Sequence, residues 1–265
     1  MTHRRTYPEQ LHIGETAYSI EKILKEDFFS VNILYRSAKG QRHVLKLSDF
    51  RFILGVFLRP LAALMSQHEY RIYQRLAGIE GIPTLGSRYG SRGYFHKYVD
   101  GKTLAEWGRG SPLPDDFFDR LGAIVRQIHA RRIFYADLNK RGNIIVGNDD
   151  KPHLIDFQIG MHFPRLQGRL GVLSERLFEK LTREDVYHLY KLKRHFQPER
   201  LTAVESQLAQ RSALGRGFNR FFGKPFRRVK RIIYPAGSNE TVWYRWRRNR
   251  RAAPRRPPPG PQGSL

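Results

Sequence analysis

Two carboxylates and one carboxamide lie where a pair of strands could bring them together. Asp137 lies in a polar loop, Asn143 ends that loop, and Asp156 follows a second apolar segment. Between them the sequence predicts a hairpin, with strands at 144–146 and 153–155 and a turn at 147–150. We therefore expect the three side chains to converge on one spot. Two carboxylates and an amide oxygen, in a chain without cysteine, suit a hard cation such as Mg²⁺.

These residues have the layout of a phosphotransferase site. Residues 135–146, followed by 154–157, resemble the catalytic and metal-binding loops of the protein-kinase-like superfamily. They are similar to the loops of small bacterial lipopolysaccharide-core sugar kinases and of RIO-type kinases. The resemblance implies that Asp137 orients or deprotonates an attacking hydroxyl. It also implies that Asn143 and Asp156 hold Mg²⁺ against the phosphates of ATP.

The chain departs from the usual pattern in two places. Five residues separate Asp137 from Asn143, where the motif has four, so we expect a bulge at 141–142, where glycine tolerates unusual dihedral angles. Gln158 follows the pair 156–157, where the family has a glycine that lets the next loop swing. We therefore do not expect activity to be regulated by a swing of the loop that follows residues 156–157.

Lys46 is the candidate phosphate-binding lysine. It lies in a predicted strand similar to the kinase strand whose lysine reaches the α- and β-phosphates. Glu69, on a helix predicted over 61–76, would pair with Lys46 and hold it toward the phosphates. Glu80 is the rival partner, but it falls past the end of the helix. The alternative for Lys46 and Glu69 is an ordinary pair of solvent-facing side chains.

The resemblance implies two further parts of the site. Lys140 would neutralise charge on the transferred phosphoryl group, with Arg141 as the alternative and a solvated basic turn as the ordinary explanation. The segment 96–99 resembles the kinase hinge, so the main chain around His96 and Tyr98 would bind the adenine ring.

The predicted fold class is α+β, a two-lobed protein-kinase-like fold with a small antiparallel β lobe, one helix and a larger, mainly helical lobe. Strands are predicted at 20–24, 28–35 and 43–47, and helices within 105–130, at 173–181, and from a capping pattern at 182–185. No glycine lies in the loop 25–27, where a phosphate-covering loop is expected. The predicted segments are a flexible N-terminus (1–14), an N-lobe (15–97), a C-lobe (98–205), a basic amphipathic extension (206–246) and a disordered Arg/Pro-rich tail (247–265).

Positive charge is concentrated at the C-terminal end. The net charge is +24, and residues 211–265 contain fifteen Lys or Arg and one Glu, which is 15 − 1 = +14 and leaves 24 − 14 = +10 for the remainder. Such a segment favours an anionic partner: membrane lipid, an acidic glycolipid or nucleic acid. An amphipathic pattern over 216–233 is typical of a membrane-surface helix, with a helix docked on the large lobe as the alternative. Without cysteine or an apolar leader, we expect a cytoplasmic protein that can associate peripherally with the inner face of the membrane.

The sequence therefore favours an ATP- and Mg²⁺-dependent kinase. Its acceptor would be a sugar hydroxyl of an anionic, lipopolysaccharide-type glycolipid or a Ser/Thr of a protein. The glycine-free and bulged loops favour a second hypothesis, a non-catalytic kinase-like binding protein. A basic nucleic-acid-binding protein is the third, supported by charge but by no motif.

Overall fold

The computed structural model describes residues 7–26, 30–49, 59–108 and 112–210. The chain divides into two compact units, residues 1–212 and 213–265. The second unit lies outside the described residues. The predictions of an amphipathic helix over 216–233 and of a disordered tail therefore remain predictions.

The first part of the chain forms a six-stranded antiparallel sheet in the order β1-β2-β3-β4-β6-β5. The strands are β1 (Gln10–Ile13), β2 (Thr16–Glu26), β3 (Ser30–Ser37), β4 (Arg42–Ser48), β5 (Leu85–Tyr89) and β6 (Gly93–Lys97). Strands β2, β3 and β4 confirm the predicted three-strand meander. Strand β3 lies between β2 and β4, and six of its eight residues are buried, in keeping with its apolar run.

The strand β1 shows that Gln10–Ile13, inside the segment predicted to be flexible, form regular structure. It pairs with β2 in antiparallel register from Gln10 to Ile13. Leu11 is buried and packs in the same apolar cluster as Tyr18. The alternation of Leu11 and Ile13 with polar neighbours is a short strand pattern, and a partner strand directly after it is sufficient to fix it.

One helix, α1 (Arg59–Leu76), packs on this sheet and confirms the helix predicted over 61–76. Its buried side chains recur at helical spacing along one face: Ala62, Ser66, Glu69, Ile72, Tyr73 and Leu76. Glu69 is the one charged group among them, and the functional site explains its burial.

The second part of the chain is mainly helical. Its helices are α2 (Leu104–Trp107), α3 (Phe117–Ala130), α4 (Gly168–Phe196) and α5 (Ala203–Leu208). Its short strands are β7 (Gly101–Thr103), β8 (Ile133–Phe134), β9 (Ile144–Gly147), β10 (Pro152–Leu154) and β11 (Met161–His162). Strands β9 and β10 are the predicted hairpin. The described elements thus confirm the predicted α+β architecture with two lobes.

The helix α4 corrects the prediction of two helices. It runs without a break through Thr182, where a new N-terminus was expected. The Thr182 hydroxyl does not cap a helix but donates to the carbonyls of Phe178 at 3.0 Å and Glu179 at 3.1 Å. Because neither Gly nor Pro occurs from Val172 to Phe196, nothing in the sequence forces a break. No helix in the described ranges is both long and apolar enough to cross a membrane.

Candidate active site

A buried lysine joins the two lobes. The Lys46 ammonium on β4 lies 2.7 Å from Glu69 Oε1 on α1 and 2.8 Å from Asp156 Oδ1, which follows the β9–β10 hairpin. The Lys46 and Glu69 side chains are 7% and 1% exposed, and that of Asp156 is 22% exposed. The predicted Lys46–Glu69 pair is therefore present. The rival Glu80 is largely exposed and pairs with Lys151 instead.

Electrostatics fix the charges of this triad. Burial alone would raise the pKa of Asp156, but the charge and hydrogen bond of Lys46 overcome it and lower that pKa to about 2. Burial would lower the pKa of Lys46, yet Asp156 and Glu69 together raise it. The pKa of Glu69 is raised, because the cost of burying its charge exceeds the attraction of Lys46. Lys46 is thus cationic and Asp156 anionic at neutral pH.

The loop after β8 holds the candidate catalytic carboxylate. Asp137 is buried, and its Oδ2 lies 2.5 Å from Lys140 Nζ and 3.5 Å from Asn143 Nδ2. Two turns shape the loop, because Lys140 N–H donates to the Asp137 carbonyl and Asn143 N–H donates to the Lys140 carbonyl, each at 3.0 Å. The predicted catalytic pair and one predicted metal ligand therefore meet at one point.

The fifth residue of this loop is accommodated differently from the prediction. Residues Arg141–Asn143 form one turn of 3₁₀-helix, and Gly142 has no positive φ. Left-handed backbone occurs instead at Ala136, with φ of 70°, directly before Asp137. The tight turn thus lies where the added residue was expected, but the unusual dihedral angles expected at Gly142 are absent.

A carboxylate on α4 explains how Ala136 keeps this conformation. Asp185, 1% exposed, accepts hydrogen bonds from Tyr135 N–H at 2.9 Å and from Ala136 N–H at 3.1 Å. His129 Nε2, on α3, lies 2.9 Å from the same carboxylate. Asp185 thus anchors the loop that presents Asp137.

In the sequence, Asp185 belongs to the capping pattern at 182–185, which conceals this anchoring role. The signal available in the sequence was the position of Asp185 on the apolar face of the helix. The buried positions of α4 include Phe178, Asp185, Leu189 and Leu192, so Asp185 interrupts the apolar face of a helix. A carboxylate in such a position needs partners inside the fold.

The residues around Asp156 fix its position. Phe157 is fully buried, and its ring packs edge-on against Tyr73 of α1 at 4.9 Å and Tyr135 at 5.0 Å between centroids. The Tyr135 hydroxyl donates to the Ile155 carbonyl at 2.6 Å. Asp156 itself has a φ of 66°. The packing of its two neighbours therefore directs this carboxylate toward Lys46.

A main-chain bond also places Asn143 beside the second loop. Ile155 N–H donates to the Asn143 carbonyl at 3.0 Å, so the two predicted metal ligands come from adjacent stretches of backbone. One carboxylate and one amide oxygen are hard donors that suit Mg²⁺, whose other ligands are commonly phosphate oxygens and water. In the described ranges no cluster of three or more His, Asp or Glu forms a metal cage.

The predicted hinge is extended, but part of it is already bonded. His96 lies in β6, and its buried ring stacks on Tyr73 with centroids 6.0 Å apart. Burial lowers the pKa of His96 to about 4, so the ring is neutral at physiological pH. The Tyr98 N–H donates to the Arg42 carbonyl at 3.1 Å. Tyr98 N–H is thus engaged by the Arg42 carbonyl, and adenine binding by the main chain of 96–99 remains a prediction.

The described part of the chain has an α+β fold in which Lys46, Glu69, Asp137, Asn143 and Asp156 lie in one region. A search of protein-family models finds no match, and no curated protein is similar enough in sequence to be matched. Among solved structures, the chain is similar to the Rio2 kinase from Chaetomium thermophilum, with 15% identity over 67% of this chain and a TM-score of 0.48. The chain spans 58% of the length of that kinase.

Proposed function

We propose that the protein is an ATP- and Mg²⁺-dependent phosphotransferase. The observation that carries this proposal is the Lys46 ammonium, which contacts Glu69 at 2.7 Å and Asp156 at 2.8 Å. A buried ion pair is weak evidence for stability, because removing its charges from water costs about as much as their attraction returns. A function that needs a fixed charge at this point accounts for the arrangement better.

The nucleotide would lie against this triad. Lys46, positioned by Glu69, would bind the α- and β-phosphates. Asn143 and Asp156 would hold Mg²⁺, which neutralises phosphate charge when bound. With a pKa of about 2, Asp156 is ready to bind a cation without first losing a proton.

The transfer step would use the loop at Asp137. The Asp137 carboxylate accepts the proton of the acceptor hydroxyl as the new oxygen–phosphorus bond forms, and the bond between the β- and γ-phosphates breaks to release ADP. Lys140, whose side chain is 54% exposed, can move from Asp137 toward the transferred phosphoryl group. The acceptor would be a lipopolysaccharide-type sugar or a protein Ser/Thr.

One observation favours a second candidate, a non-catalytic kinase-like binding protein. The Tyr98 N–H already donates to the Arg42 carbonyl at 3.1 Å, so this N–H is not available to adenine in this conformation. The complete set of Lys46, Asp137 and Asp156 speaks against this candidate, since a protein that only binds has no need for Asp137.

Transfer of labelled γ-phosphate from ATP tests the proposal. Asp137→Ala should keep Mg²⁺-dependent nucleotide binding but lower transfer by about 10²- to 10⁴-fold. Asp156→Ala should lose the nucleotide binding itself. Asp150→Asn changes an exposed turn carboxylate and is the matched control, with transfer unchanged. Undiminished transfer in Asp137→Ala would contradict the assignment.

A further inference from the structure

A cavity of about 250 Å³ lies beside the catalytic loop, between that loop and the C-terminal half of α4. Its lining residues are Asn139, Arg141, His188, Lys191, Leu192, Arg194 and His195, which we call the basic pocket. The volume is below the usual range for drug-sized ligands, about 300–1,000 Å³. It suits a small polar group better than an extended ligand.

The lining of the basic pocket carries positive charge without a compensating carboxylate. Arg141, Lys191 and Arg194 are permanent cations, and two histidines and one amide add hydrogen-bonding groups. Among the described residues no Asp or Glu forms an ion pair with any of the three cations. The nearby Lys193 differs, because Asp119 at 3.1 Å and Glu205 at 2.8 Å neutralise it.

The position of the pocket links it to the chemistry. Asn139 and Arg141 follow Asp137 by two and four residues, and consecutive Cα atoms are about 3.8 Å apart. The Asn139 Cα is therefore at most about 8 Å from the Asp137 Cα. Arg141 begins the 3₁₀ turn that absorbs the added loop residue, and its guanidinium lies over the Phe196 ring, 5.5 Å from the centroid. The longer loop thus brings an arginine to the end of α4.

Helix electrostatics alone do not account for the cluster. Cations near a helix C-terminus interact favourably with the macrodipole, which explains Arg194 in the last turn of α4. The macrodipole does not explain Arg141, which belongs to another element. It also does not explain Lys191, which lies before the last turn of α4.

We propose that the basic pocket binds a phosphate group already present on the acceptor. The inference rests on the proposed phosphotransfer and narrows its substrate to hydroxyl compounds that carry a phosphate near the reacting hydroxyl. Several convergent cations suit a phosphate dianion, and the arginine fork can bind two of its oxygens at once. Seated there, the phosphate brings the neighbouring hydroxyl to Asp137. A neutral sugar lacks this phosphate group and does not bind.

Calorimetric titration of the full-length chain with glucose 6-phosphate and with glucose tests the pocket directly. The variants are Lys191→Met, the double variant Lys191→Met/Arg194→Gln, and the control Arg183→Gln, an exposed arginine of α4 outside the pocket. We expect glucose 6-phosphate to bind and glucose not to bind. Each removed pocket cation should raise the dissociation constant about tenfold. Arg183→Gln should change it less than twofold.

Two results would overturn the proposal: no binding of glucose 6-phosphate or inorganic phosphate to the wild type, or equal binding by the wild type and the double variant. Titration of the same variants with a water-soluble short-chain phosphatidic acid, below its micelle-forming concentration, distinguishes a lipid headgroup from a soluble sugar phosphate without a membrane surface that the basic C-terminal segment could bind. Tighter binding of the phosphatidic acid than of glucose 6-phosphate, lost in the double variant, assigns the pocket to a headgroup. Tighter binding of glucose 6-phosphate, lost in the double variant, assigns it to a soluble phosphate.

Failure of this inference is separable from failure of the proposed function. The ATP-induced thermal shift depends on Lys46 and Asp156 and should persist in the double variant. If that shift is absent in the wild type while pocket variants still lose phosphate binding, the phosphotransfer proposal fails and the anion pocket stands. If the wild type shows the ATP-induced shift but the pocket variants bind phosphate as the wild type does, the phosphotransfer proposal stands and the phosphate-bearing acceptor is ruled out.

Discussion

Lys46 shows how much a single side chain can connect. Its ammonium is held by a helix of the small lobe through Glu69 and by the large lobe through Asp156. Each partner alone would be an ordinary ion pair. Together the two carboxylates hold the ammonium in place, and the charge and hydrogen bond of Lys46 in turn lower the pKa of Asp156 to about 2. The charge state of the site is therefore set before any ligand binds.

This pKa gives a prediction for stability against pH. The ordinary pKa of the Asp156 carboxyl is 3.8 and the folded value is about 2, so the group stabilises the folded chain above pH 3.8. That contribution is lost as the pH falls through 2. We expect Asp156→Asn to lower the free energy of unfolding at pH 7 by about 2 kcal/mol, and the difference from wild type to shrink toward pH 2.5.

Urea denaturation at pH 7, 5, 3.5 and 2.5 measures this difference. Asp150→Asn is the control, because it removes a carboxylate in an exposed turn. A difference for Asp156→Asn that stays constant over this range would contradict the assigned coupling to Lys46.

Two glycines give a second prediction at this scale. A Cβ on Gly101, whose φ is 156°, would lie 2.1 Å from the Val146 carbonyl oxygen, whereas a Cβ on Gly142 would meet nothing within 4 Å. Gly101→Ala should therefore destabilise the fold by about 2 kcal/mol or more. Gly142→Ala should change stability by less than about 1 kcal/mol. Melting temperatures of the two variants decide this, and strong destabilisation by Gly142→Ala would restore the glycine-bulge hypothesis.

At the scale of elements, the helix α4 holds the catalytic loop through a buried carboxylate. Asp185 accepts the N–H groups of Tyr135 and Ala136 and keeps Ala136 left-handed. Such a conformation costs about 1–3 kcal/mol and persists only where the surroundings hold it. The geometry at Asp137 therefore depends on a residue 48 positions later in the chain.

We predict that Asp185→Asn lowers transfer at least tenfold and destabilises the fold by about 1–3 kcal/mol, because an amide cannot accept from both N–H groups with the same geometry. The Mg²⁺–ATP thermal shift should remain, since Lys46 and Asp156 are untouched. Glu179→Gln, an exposed change on the same helix, is the control. Normal transfer in Asp185→Asn would show that the loop holds its shape without this anchor.

The elements also show what sequence reasoning can reach. Alternation and helical spacing predicted the meander β2–β4, the helix α1 and the hairpin β9–β10, because their patterns are local. The same reasoning divided α4 at Thr182, since a capping pattern and a continuing helix share these residue types. It missed the anchoring role of Asp185, whose partners lie in another element. It expected unusual dihedral angles at Gly142, whereas the left-handed residue of this loop is Ala136, whose N–H is bound by Asp185.

At the scale of the whole molecule, charge is unevenly divided. Residues 211–265 carry fifteen Lys or Arg against one Glu, which gives +14 of the net +24. Such a segment attracts anionic surfaces, and each Lys or Arg near one contributes about 1 kcal/mol. We propose that it brings the chain to an anionic membrane, where a glycolipid acceptor would be concentrated.

Removal of residues 211–265 tests this proposal. We expect the shortened chain to lose at least about a hundredfold in affinity for vesicles containing phosphatidylglycerol, with the loss falling as salt rises. Neutral phosphatidylcholine vesicles should bind neither protein. The Mg²⁺–ATP thermal shift should be unchanged, which also serves as the control for folding. Equal affinity of the two proteins for anionic vesicles would contradict the membrane role.

The measurement that tests the central claim most directly is thermal unfolding with and without ATP and Mg²⁺, for the wild type and Asp156→Ala. At about one hundred times its dissociation constant, a ligand stabilises the folded chain by about 2.7 kcal/mol. We predict a Mg²⁺-dependent rise in melting temperature for the wild type and none for Asp156→Ala. A well-folded wild type that shows no shift would contradict the nucleotide site and favour the non-catalytic binding protein.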